Sequence, residues 1–468
     1  MTSNFGVYID EGVQDYQVFQ QDTDGQAQFT VSGHFESLPD RKNPQVILRL
    51  VCENSGELVT RESGWQVAAQ QEDDRWSHTF TRVPRGGPYR LESAVRSEGI
   101  PDEWALHGHM AHHLGVGDIW VVAGQSNSAG YGKSPIYDPP EMGAHCFFAD
   151  GRWKLACHPL GDSTNSKYPA NREGANASHS PYLHFAKLLK RRLNYPIGLI
   201  PAALGGSAIA SWLKSIKGEL FDNTCAYCRD AGAERVRGVL WYQGESETGA
   251  DNADLHLARF TELVGDFRRF FKDPALPVIT VQLNRYTAIP VQEGPSNLAW
   301  EKVRETQRQA ARQIPGVFVI GTLDLGLADD IHNSSSANLV IGERMAACAL
   351  GGVLGFRTKY LHPDISSARQ TGPREVVLQF ANVDAYLGMF TVEDWNRLFS
   401  IRDAAGRAEL EKVSAGDPGC LRLQAKRDLT ANARVVGAPG ANPTHLVPFD
   451  YAGHRPMLAF SAEIKPTV

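Results

Sequence analysis

The distribution of apolar and polar residues divides the chain into three stretches with different periodicity. Up to about residue 115, short apolar runs recur at regular intervals and are separated by turn-forming clusters such as Leu-Pro-Asp and Arg-Gly-Gly-Pro. These runs predict five strands, at 27–35, 45–52, 64–69, 76–83 and 89–95. Their spacing is typical of a small antiparallel β-sandwich, whose expected role is packing against the rest of the chain, with sugar binding as the alternative.

Between residues 116 and 355 the pattern changes to strands that alternate with amphipathic helices. Apolar runs at 119–122, 197–201, 236–242, 277–283 and 317–321 predict strands. Segments 181–193, 253–271, 298–313 and 338–349 carry apolar residues at helical spacing. This alternation predicts an α/β fold, with a mainly parallel sheet that is covered by helices on both faces.

Strand-like patterns return in the last stretch, residues 356–468. The predicted strands are 375–380, 398–402, 421–425, 434–437 and 457–460, separated by Gly/Pro turns. We expect no active-site residue in this stretch.

Composition excludes several classes of protein. The 468 residues carry a net charge of -6, and there is no basic run with interleaved aromatic residues, so we expect no nucleic-acid partner. No apolar span has membrane length, and the amino terminus lacks a basic region followed by an apolar one. Seven scattered cysteines do not form a disulfide framework. These features predict a cytoplasmic protein with reduced thiols and no membrane partner.

Ser126 is the candidate nucleophile. It lies in the small-polar turn Gly124-Gln125-Ser126-Asn127, which directly follows the buried strand at 119–122. Open α/β sheets carry their chemistry at the carboxyl ends of the strands. Taken alone, a serine in such a turn is more often a simple turn residue, so catalysis requires a base and oxyanion donors elsewhere.

Two further strands are followed by segments that could supply these groups. Gly205 and Gly206 come after the strand at 197–201, where paired glycines let backbone N–H groups approach a ligand, although a tight turn would need them equally. Gln243 and Glu245 come after the strand at 236–242. In a parallel sheet these segments share one edge with Ser126.

His332 is the candidate base. It follows the strand at 317–321, and two carboxylates, Asp329 and Asp330, precede it closely. An Asp at this spacing can accept a hydrogen bond from the imidazole Nδ1–H and leave Nε2 free to take a proton. Either carboxylate could do so by spacing alone.

Four ordered motifs resemble those of the SGNH hydrolase superfamily. They are GQSN at 124–127, ALGGSAIASW at 203–212, WYQGES at 241–246 and DDIH at 329–332. Within the superfamily they are most similar to the sialate O-acetylesterase-like branch of carbohydrate esterases. The resemblance implies a flavodoxin-like catalytic domain at 116–355. It also implies a carboxy-terminal β segment that packs on the domain at 1–115, so that the two terminal regions form one accessory β-sandwich.

The resemblance also implies a role for each motif residue. Ser126 matches the nucleophile, and its own N–H would be an oxyanion donor. The second donor falls at Gly205 or Gly206, and the third at the side chain of Gln243, where the wider superfamily has Asn. His332 matches the base. Its partner is expected at Asp329, with Asp330 as the alternate.

These roles imply a serine carboxylic-ester hydrolase that works through an acyl-enzyme and needs no metal or organic cofactor. The expected partner is an acetylated mono- or oligosaccharide, either a xylo- or manno-oligosaccharide from polysaccharide degradation or sialic acid. The alternatives are a non-catalytic carbohydrate-binding protein on the same fold and a lipase or thioesterase. Polar loops rich in Asn, Ser, Gly and Tyr speak against the lipase. Assembly into homo-oligomers is left open.

Other residues have both a functional and a packing interpretation. The expected substrate contacts are Gln125, Asn127, Trp212, Glu245, Arg285 and Tyr286, of which Glu245 is more readily read as a brace of the site. The histidines at 107, 109, 112 and 113 and the lone pair Cys225 and Cys228 invite a metal site. Packing explains both groups better, although Cys157 and His158 could complete a zinc site with the cysteine pair.

Overall fold

The structure, a computed structural model, describes residues 5–174, 177–290 and 294–466. Its first part contains ten strands and two short 3-10 turns, Arg61–Ser63 and Asp102–Trp104. The strands are β1 (Gly6–Glu11), β2 (Val18–Gln20), β3 (Gln26–Glu36), β4 (Gln45–Cys52), β5 (Gln66–Val67), β6 (Ala69–Gln70), β7 (Arg75–Pro84), β8 (Gly86–Arg96), β9 (Leu106–His107) and β10 (Ala111–Gly124).

Two sheets of this part face each other. One has the order β1-β3-β7-β6, and the other contains β4, β5, β8, β9 and the first half of β10. Apolar side chains from both meet in one buried cluster that includes Phe29, Leu48, Trp76 and Leu91. The predicted strand 64–69 is divided into β5 and β6, because the chain crosses there from the partner of β4 to the partner of β7.

The central part alternates helices and strands. They are α1 (Ser126–Ala129), β11 (Ala144–Phe147), β12 (Trp153–Leu155), α2 (Tyr182–Leu193), β13 (Ile197–Pro201), α3 (Glu219–Asp230), β14 (Gly238–Tyr242), α4 (Ala250–Phe270), β15 (Val278–Val281), α5 (Pro295–Gln313), β16 (Val317–Ile320) and α6 (Ser335–Cys348). Short 3-10 turns lie at Pro169–Asn171, Ile209–Ser211 and Glu245–Glu247, and a π-helical segment at Ala349–Val353 continues α6.

The central sheet has the order β12-β11-β13-β10-β14-β15-β16. All neighbours are parallel except β12, which runs antiparallel to β11. One buried cluster joins the sheet to α3 and α4, and a second joins the opposite face to α2 and α6. The parallel sheet with helices on both faces is therefore present as predicted. Among the described helices, none is long and apolar enough to cross a membrane.

β10 belongs to both parts of the molecule. Its first half pairs with β8, and residues Gly115–Gly117 pair with β2. From Asp118 onwards the same strand pairs with β13, and from Trp120 with β14. The proposed domain boundary at residue 115 thus falls inside a continuous strand.

The last part contains eleven strands and a 3-10 turn at Trp395–Arg397. They are β17 (Asp364–Gln370), β18 (Glu375–Ala381), β19 (Leu387–Gly388), β20 (Phe399–Asp403), β21 (Gly406–Ala408), β22 (Leu410–Ala415), β23 (Cys420–Ala425), β24 (Arg434–Gly437), β25 (Phe449–Asp450), β26 (Arg455–Pro456) and β27 (Phe460–Lys465). Eight of them form one sheet, and β19, β25 and β26 form a small second one.

The composite accessory β-sandwich expected from the two terminal regions is not confirmed. Their described strands belong to different sheets, and their buried apolar clusters share no residue. The last part attaches to the central part instead. The side-chain amide of Gln282 donates to the carbonyl of Ala459 at 2.9 Å and accepts from its N–H at 2.8 Å. Gln282 thus uses both backbone groups of Ala459, and the strand predicted at 457–460 begins only at Phe460.

Candidate active site

Three neighbouring strands of the central sheet end at the same edge. β10 lies between β13 and β14, and both run parallel to it. Since the carboxyl ends of parallel strands face one edge of the sheet, the serine, glycine and glutamine motifs that follow these strands lie side by side.

The turn after β10 is fixed by hydrogen bonds to the segment after β14. Gly124 has φ +132°, and a Cβ there would lie 2.1 Å from the carbonyl oxygen of Tyr242, so the turn requires glycine. The amide oxygen of Gln125 accepts from the backbone N–H groups of Gly244 (3.4 Å) and Ser246 (3.2 Å). Gln125 is buried. It braces the turn and is not placed as the substrate contact that we expected.

Ser126 is the first residue of α1 and is 7 % exposed. Among the described residues, no group accepts a hydrogen bond from its backbone N–H or pairs with its hydroxyl. An unpaired N–H next to a hydroxyl provides a donor for the negative oxygen that forms when such a hydroxyl attacks a carbonyl.

His332 is paired with Asp329. Its Nδ1 lies 2.8 Å from the carboxylate Oδ2, and the other oxygen accepts from the backbone N–H groups of Ile331 (2.9 Å) and His332 (2.8 Å). Burial acts to raise the pKa of Asp329, but these hydrogen bonds outweigh it and hold the pKa below its ordinary value. The carboxylate is therefore ionised and fixes the imidazole with Nε2 available as a base.

Asp330 points to a different partner. Its carboxylate accepts from the hydroxyl of Thr287 at 2.5 Å, and its carbonyl accepts from the Thr287 N–H at 2.9 Å. The geometry thus separates the two carboxylates that spacing left open, and Asp329 alone contacts His332.

Asn127 connects the serine turn to the histidine loop. Its amide oxygen accepts from the backbone N–H of Asn333 at 3.0 Å, and its amide nitrogen donates to the carbonyl of Ile331 at 3.4 Å. The residue after Ser126 is therefore bonded to the residues on both sides of His332. Asn127 is 3 % exposed and acts as this connector, not as the substrate contact that we expected. Asn333, which the sequence analysis missed, could have been noticed from its position directly after His332.

Glu245 stabilises the same connection. Its carboxylate accepts from the amide nitrogen of Asn127 at 2.7 Å. Burial raises the pKa of Glu245 above its ordinary value, although the hydrogen bond from Asn127 acts in the opposite direction. These contacts favour the bracing interpretation of Glu245 over a direct substrate contact.

The N–H of Gly205 is directed at a carboxylate. It donates to Oε2 of Glu173 at 3.0 Å, while the hydroxyl of Tyr131 donates to Oε1. The ring of Tyr131 lies against His332, with 4.8 Å between the ring centroids. Gly205 therefore faces the candidate site, whereas Gly206 adopts φ +63° and no described group accepts its N–H. Glu173 lies in a polar loop without periodicity, so no pattern in the sequence marked it.

Gln243 does not have a free amide for an oxyanion. It is fully buried, and its amide nitrogen donates to the carbonyl of Ser207 (3.3 Å) and to Glu247 (3.1 Å). Since an amide nitrogen carries two hydrogens, both are used. In this structure Gln243 joins the segments that follow β13 and β14, and its expected role as third oxyanion donor stays a prediction that requires one of these hydrogen bonds to be released.

Trp212 is also a packing residue. Its side chain is fully buried, its ring packs edge-on against Trp241, and its Nε1–H donates to the hydroxyl of Ser207 at 3.2 Å. A fully buried ring cannot stack on a sugar, so the expected substrate contact is wrong for this residue.

Arg285 and Tyr286 follow β15 at the same edge. Tyr286 is half-buried against Trp300, which leaves part of its ring exposed. The side chain of Arg285 makes no hydrogen bond to a described residue. Burial, with a smaller contribution from Arg397, lowers the pKa of Arg285. Both side chains stay candidates for substrate contacts.

The metal sites considered from the sequence do not form where spacing suggested. His112 and His113 both contact Glu53, each through Nδ1 at 2.8 Å. Cys225 and Cys228 are buried in an apolar cluster. Within the described residues, His158 instead meets Asp138 and His179.

The chain is similar to several known proteins. A family model described as "Carbohydrate esterase, sialic acid-specific acetylesterase" matches residues 116–351. The chain is 28% identical over 253 residues to a protein of Arabidopsis thaliana named "Probable carbohydrate esterase", with 50% of this chain and 90% of that protein covered. It is 22% identical over 310 residues to the sialate O-acetylesterase of Homo sapiens, and spans 56% of the length of that relative.

A solved structure shows the same overall fold. The carbohydrate acetylesterase from Xanthomonas citri superposes with a TM-score of 0.69 at 20% sequence identity. The superposition covers 97% of this chain and 99% of that chain, so the likeness extends through the terminal regions as well as the central sheet.

Proposed function

The chain belongs to the carbohydrate esterase family of sialic acid-specific acetylesterases, hydrolases that act on acetyl esters, and we propose that it removes O-acetyl groups from acetylated mono- or oligosaccharides through Ser126, His332 and Asp329. One observation carries the proposal: the Asp329–His332 pair, at 2.8 Å, is bonded through Asn127 to the turn that holds Ser126. A binding protein has no need of an oriented base beside a serine.

In the first half of the reaction, Nε2 of His332 takes the hydroxyl proton of Ser126 while the oxygen attacks the acetyl carbonyl. Asp329 holds the imidazole in the required tautomer and stabilises the imidazolium that forms. Collapse of the tetrahedral intermediate expels the sugar hydroxyl, which His332 protonates. The acetyl group then stays on Ser126.

The negative oxygen of the intermediate is bound by two backbone donors, the N–H groups of Ser126 and Gly205. Each such donor contributes about 3 kcal/mol to transition-state stabilisation. Glu173 accepts from Gly205 in this structure, so its carboxylate has to be displaced before the acetyl oxygen can take this donor. In the second half, His332 activates a water that releases acetate and restores the serine.

The proposed substrates are acetylated sugars of two kinds, xylo- or manno-oligosaccharides from hemicellulose and sialic acid. Polar groups surround the site, and Arg285 and Tyr286 are available at its rim for contacts with a sugar. This environment favours a short acetyl group and a polar alcohol over the long acyl chain that a lipase or thioesterase binds.

The test is acetate release from a panel of acetylated xylo-, manno- and sialo-substrates by the wild type and by Ser126→Ala. We expect release from at least one of them, and a loss of at least about 10³-fold in kcat for the variant, because removal of the nucleophile leaves only binding and the oxyanion donors. Ser55→Ala, an exposed serine in an amino-terminal turn, is the matched control and should keep full activity.

Two outcomes would overturn the proposal. Sugar binding without acetate release from any substrate would identify a carbohydrate-binding protein. A series of nitrophenyl esters in which long acyl chains react faster than acetyl would identify a lipase or thioesterase.

A further inference from the structure

A buried cluster of titratable side chains lies around Asp138, outside the catalytic residues. Oδ2 of Asp138 is 3.0 Å from Nε2 of His158 and 3.3 Å from Nε2 of His179. Nδ1 of His184 is 3.9 Å from Oδ1, which also accepts from the ammonium group of Lys187. The proposed acetylesterase chemistry uses none of these groups.

His179 is the unexplained member of this cluster. The residue is only 5 % exposed, yet neither of its ring nitrogens makes a hydrogen bond to a described residue. Its Nε2 approaches the carboxylate of Asp138 without the direction of a hydrogen bond, in contrast to Nε2 of His158, which is hydrogen-bonded to it. A buried imidazole whose ring nitrogens make no hydrogen bond is costly, and a ligand bound at Nε2 would satisfy it.

We propose that Asp138, His158 and His179 bind a divalent transition-metal ion, with zinc as the ion that fits best. The three ligand atoms lie within 4.8 Å of one another. Ligands held about 2.0–2.2 Å from a tetrahedral zinc are separated from each other by about 3.3 Å, close to the two distances measured from Asp138. Two imidazoles and one carboxylate are a common zinc donor set, and a water would complete the tetrahedron.

Lys187 sets the charge of this site. Its side chain is 5 % exposed, and it donates to Oδ1 of Asp138 and to the carbonyl of Pro139. Oδ2 is therefore the oxygen that faces the two histidines. The ammonium group neutralises the carboxylate and repels a cation beside it, so we expect Lys187 to weaken metal binding without blocking the ligand atoms.

The ion would fasten the loops next to the nucleophile. His179 exchanges two backbone hydrogen bonds with Gly132, both 3.1 Å long, and its carbonyl accepts from the amide of Asn338 at 2.8 Å. The N–H of Ser178 donates to the carbonyl of Gly130, just after α1. The site is thus structural, and it links the segment that follows Ser126 to the loop before α2.

The test measures zinc binding by isothermal titration calorimetry. The full-length chain is first treated with a chelator to remove bound metal. We expect one zinc ion per chain and a rise in Tm of about 2–5 °C at saturation, because the ion binds only the folded state. Cobalt(II) added in place of zinc should give the visible absorption of a tetrahedral site. Absence of binding by zinc, cobalt(II) and manganese(II) alike would overturn the proposal.

Three variants locate the site. His179→Ala and Asp138→Asn should weaken zinc binding at least about 100-fold, and Lys187→Met should tighten it about tenfold. His34→Ala is the matched control, since His34 forms a similar pair with Asp10 at 3.0 Å on the exposed side of β3. Circular dichroism and ester hydrolysis establish that each variant is folded. Equal zinc affinity in wild type and a folded His179→Ala would place the ion elsewhere and refute the assignment.

Discussion

At the scale of single residues, the site separates groups that look equivalent in the sequence. Asp329 and Asp330 are adjacent, but only Asp329 contacts the imidazole of His332, because the carboxylate of Asp330 is engaged by Thr287. The direction in which each carboxylate points depends on the turn, and a spacing of two or three residues does not determine it.

This separation predicts different effects for two conservative substitutions. Asp329→Asn should lower kcat by about 10³–10⁴-fold, because an amide favours the wrong tautomer of His332. Asp330→Asn keeps an acceptor for Thr287 and should change kcat less than about threefold. Initial rates on a nitrophenyl acetate, with circular dichroism as the fold control, measure both. Equal losses in the two variants would contradict the assignment of Asp329.

A substitution of Glu173 is expected to improve substrate binding, in contrast to Asp329→Asn, which is expected to lower kcat. The carboxylate of Glu173 accepts from the N–H of Gly205, which we propose as a donor to the acetyl oxygen. Glu173→Ala should therefore lower KM several-fold for a small acetyl ester, because no carboxylate has to be displaced. Glu173→Gln, which keeps an acceptor of the same length, is the control and should stay close to the wild type. A rise in KM for Glu173→Ala would show that this side chain helps to bind the substrate.

Glu245 predicts a pH dependence of stability. Burial raises the pKa of Glu245 in the folded state above its ordinary value of 4.5, so the folded state holds this proton more tightly than the unfolded state. The contribution of this carboxyl to stability is then largest below pH 4.5 and falls as the pH rises towards the folded pKa. Glu245→Gln should gain stability relative to the wild type between pH 4 and pH 7. Urea unfolding at several pH values measures this difference, and a constant difference would contradict it.

At the scale of elements, the periodicity of apolar residues predicted those strands and helices whose pattern is complete within the local sequence. The strand at 197–201 and the helix at 181–193 agree with β13 and α2 to within one residue. α3 was missed, since its buried face mixes the polar Asn223 and Thr224 with two cysteines and apolar residues, which weakens the apolar stripe in the sequence. The motifs located the serine, glycine and histidine segments. They could not show that Gln243 and Trp212 are buried, because this depends on how separate loops pack.

One buried arginine, Arg304, joins the helix α5 to the segments at 283–284 and 440–441. The guanidinium of Arg304 donates to four carbonyl oxygens, those of Leu283, Asn284, Gly440 and Ala441. Arg304→Met leaves these buried acceptors without a donor and should lower the free energy of unfolding by about 3 kcal/mol or more. Urea unfolding measures the loss.

Arg312 provides the control for this prediction on the same helix. Its side chain is 44% exposed and pairs with Asp364 at the surface, so Arg312→Met should cost less than about 1 kcal/mol. A similar loss in both variants would show that burial of Arg304 has no special effect.

At the scale of the whole molecule, the three parts are joined by a shared strand and by buried contacts. β10 runs through both of the first two parts, and Gln282 pairs with Ala459 of the last part. We therefore expect one cooperative transition when the full-length chain is unfolded in a differential scanning calorimeter. Two well-separated transitions would show that the terminal regions unfold independently.

The continuous strand β10 also sets the position of Ser126, the proposed nucleophile. Ser126 lies two residues beyond its end, whereas His332 is carried by the loop after β16. A slip of β10 by one residue along its axis would displace Ser126 by about 3.3 Å, more than the length of a hydrogen bond. The pairing of β10 with β2 and β8 at its start and with β13 and β14 at its end holds this register. The amino-terminal sheet thus helps to set the distance between Ser126 and His332. Substitutions far from the substrate can therefore change the rate of the proposed acetyl transfer by shifting β10.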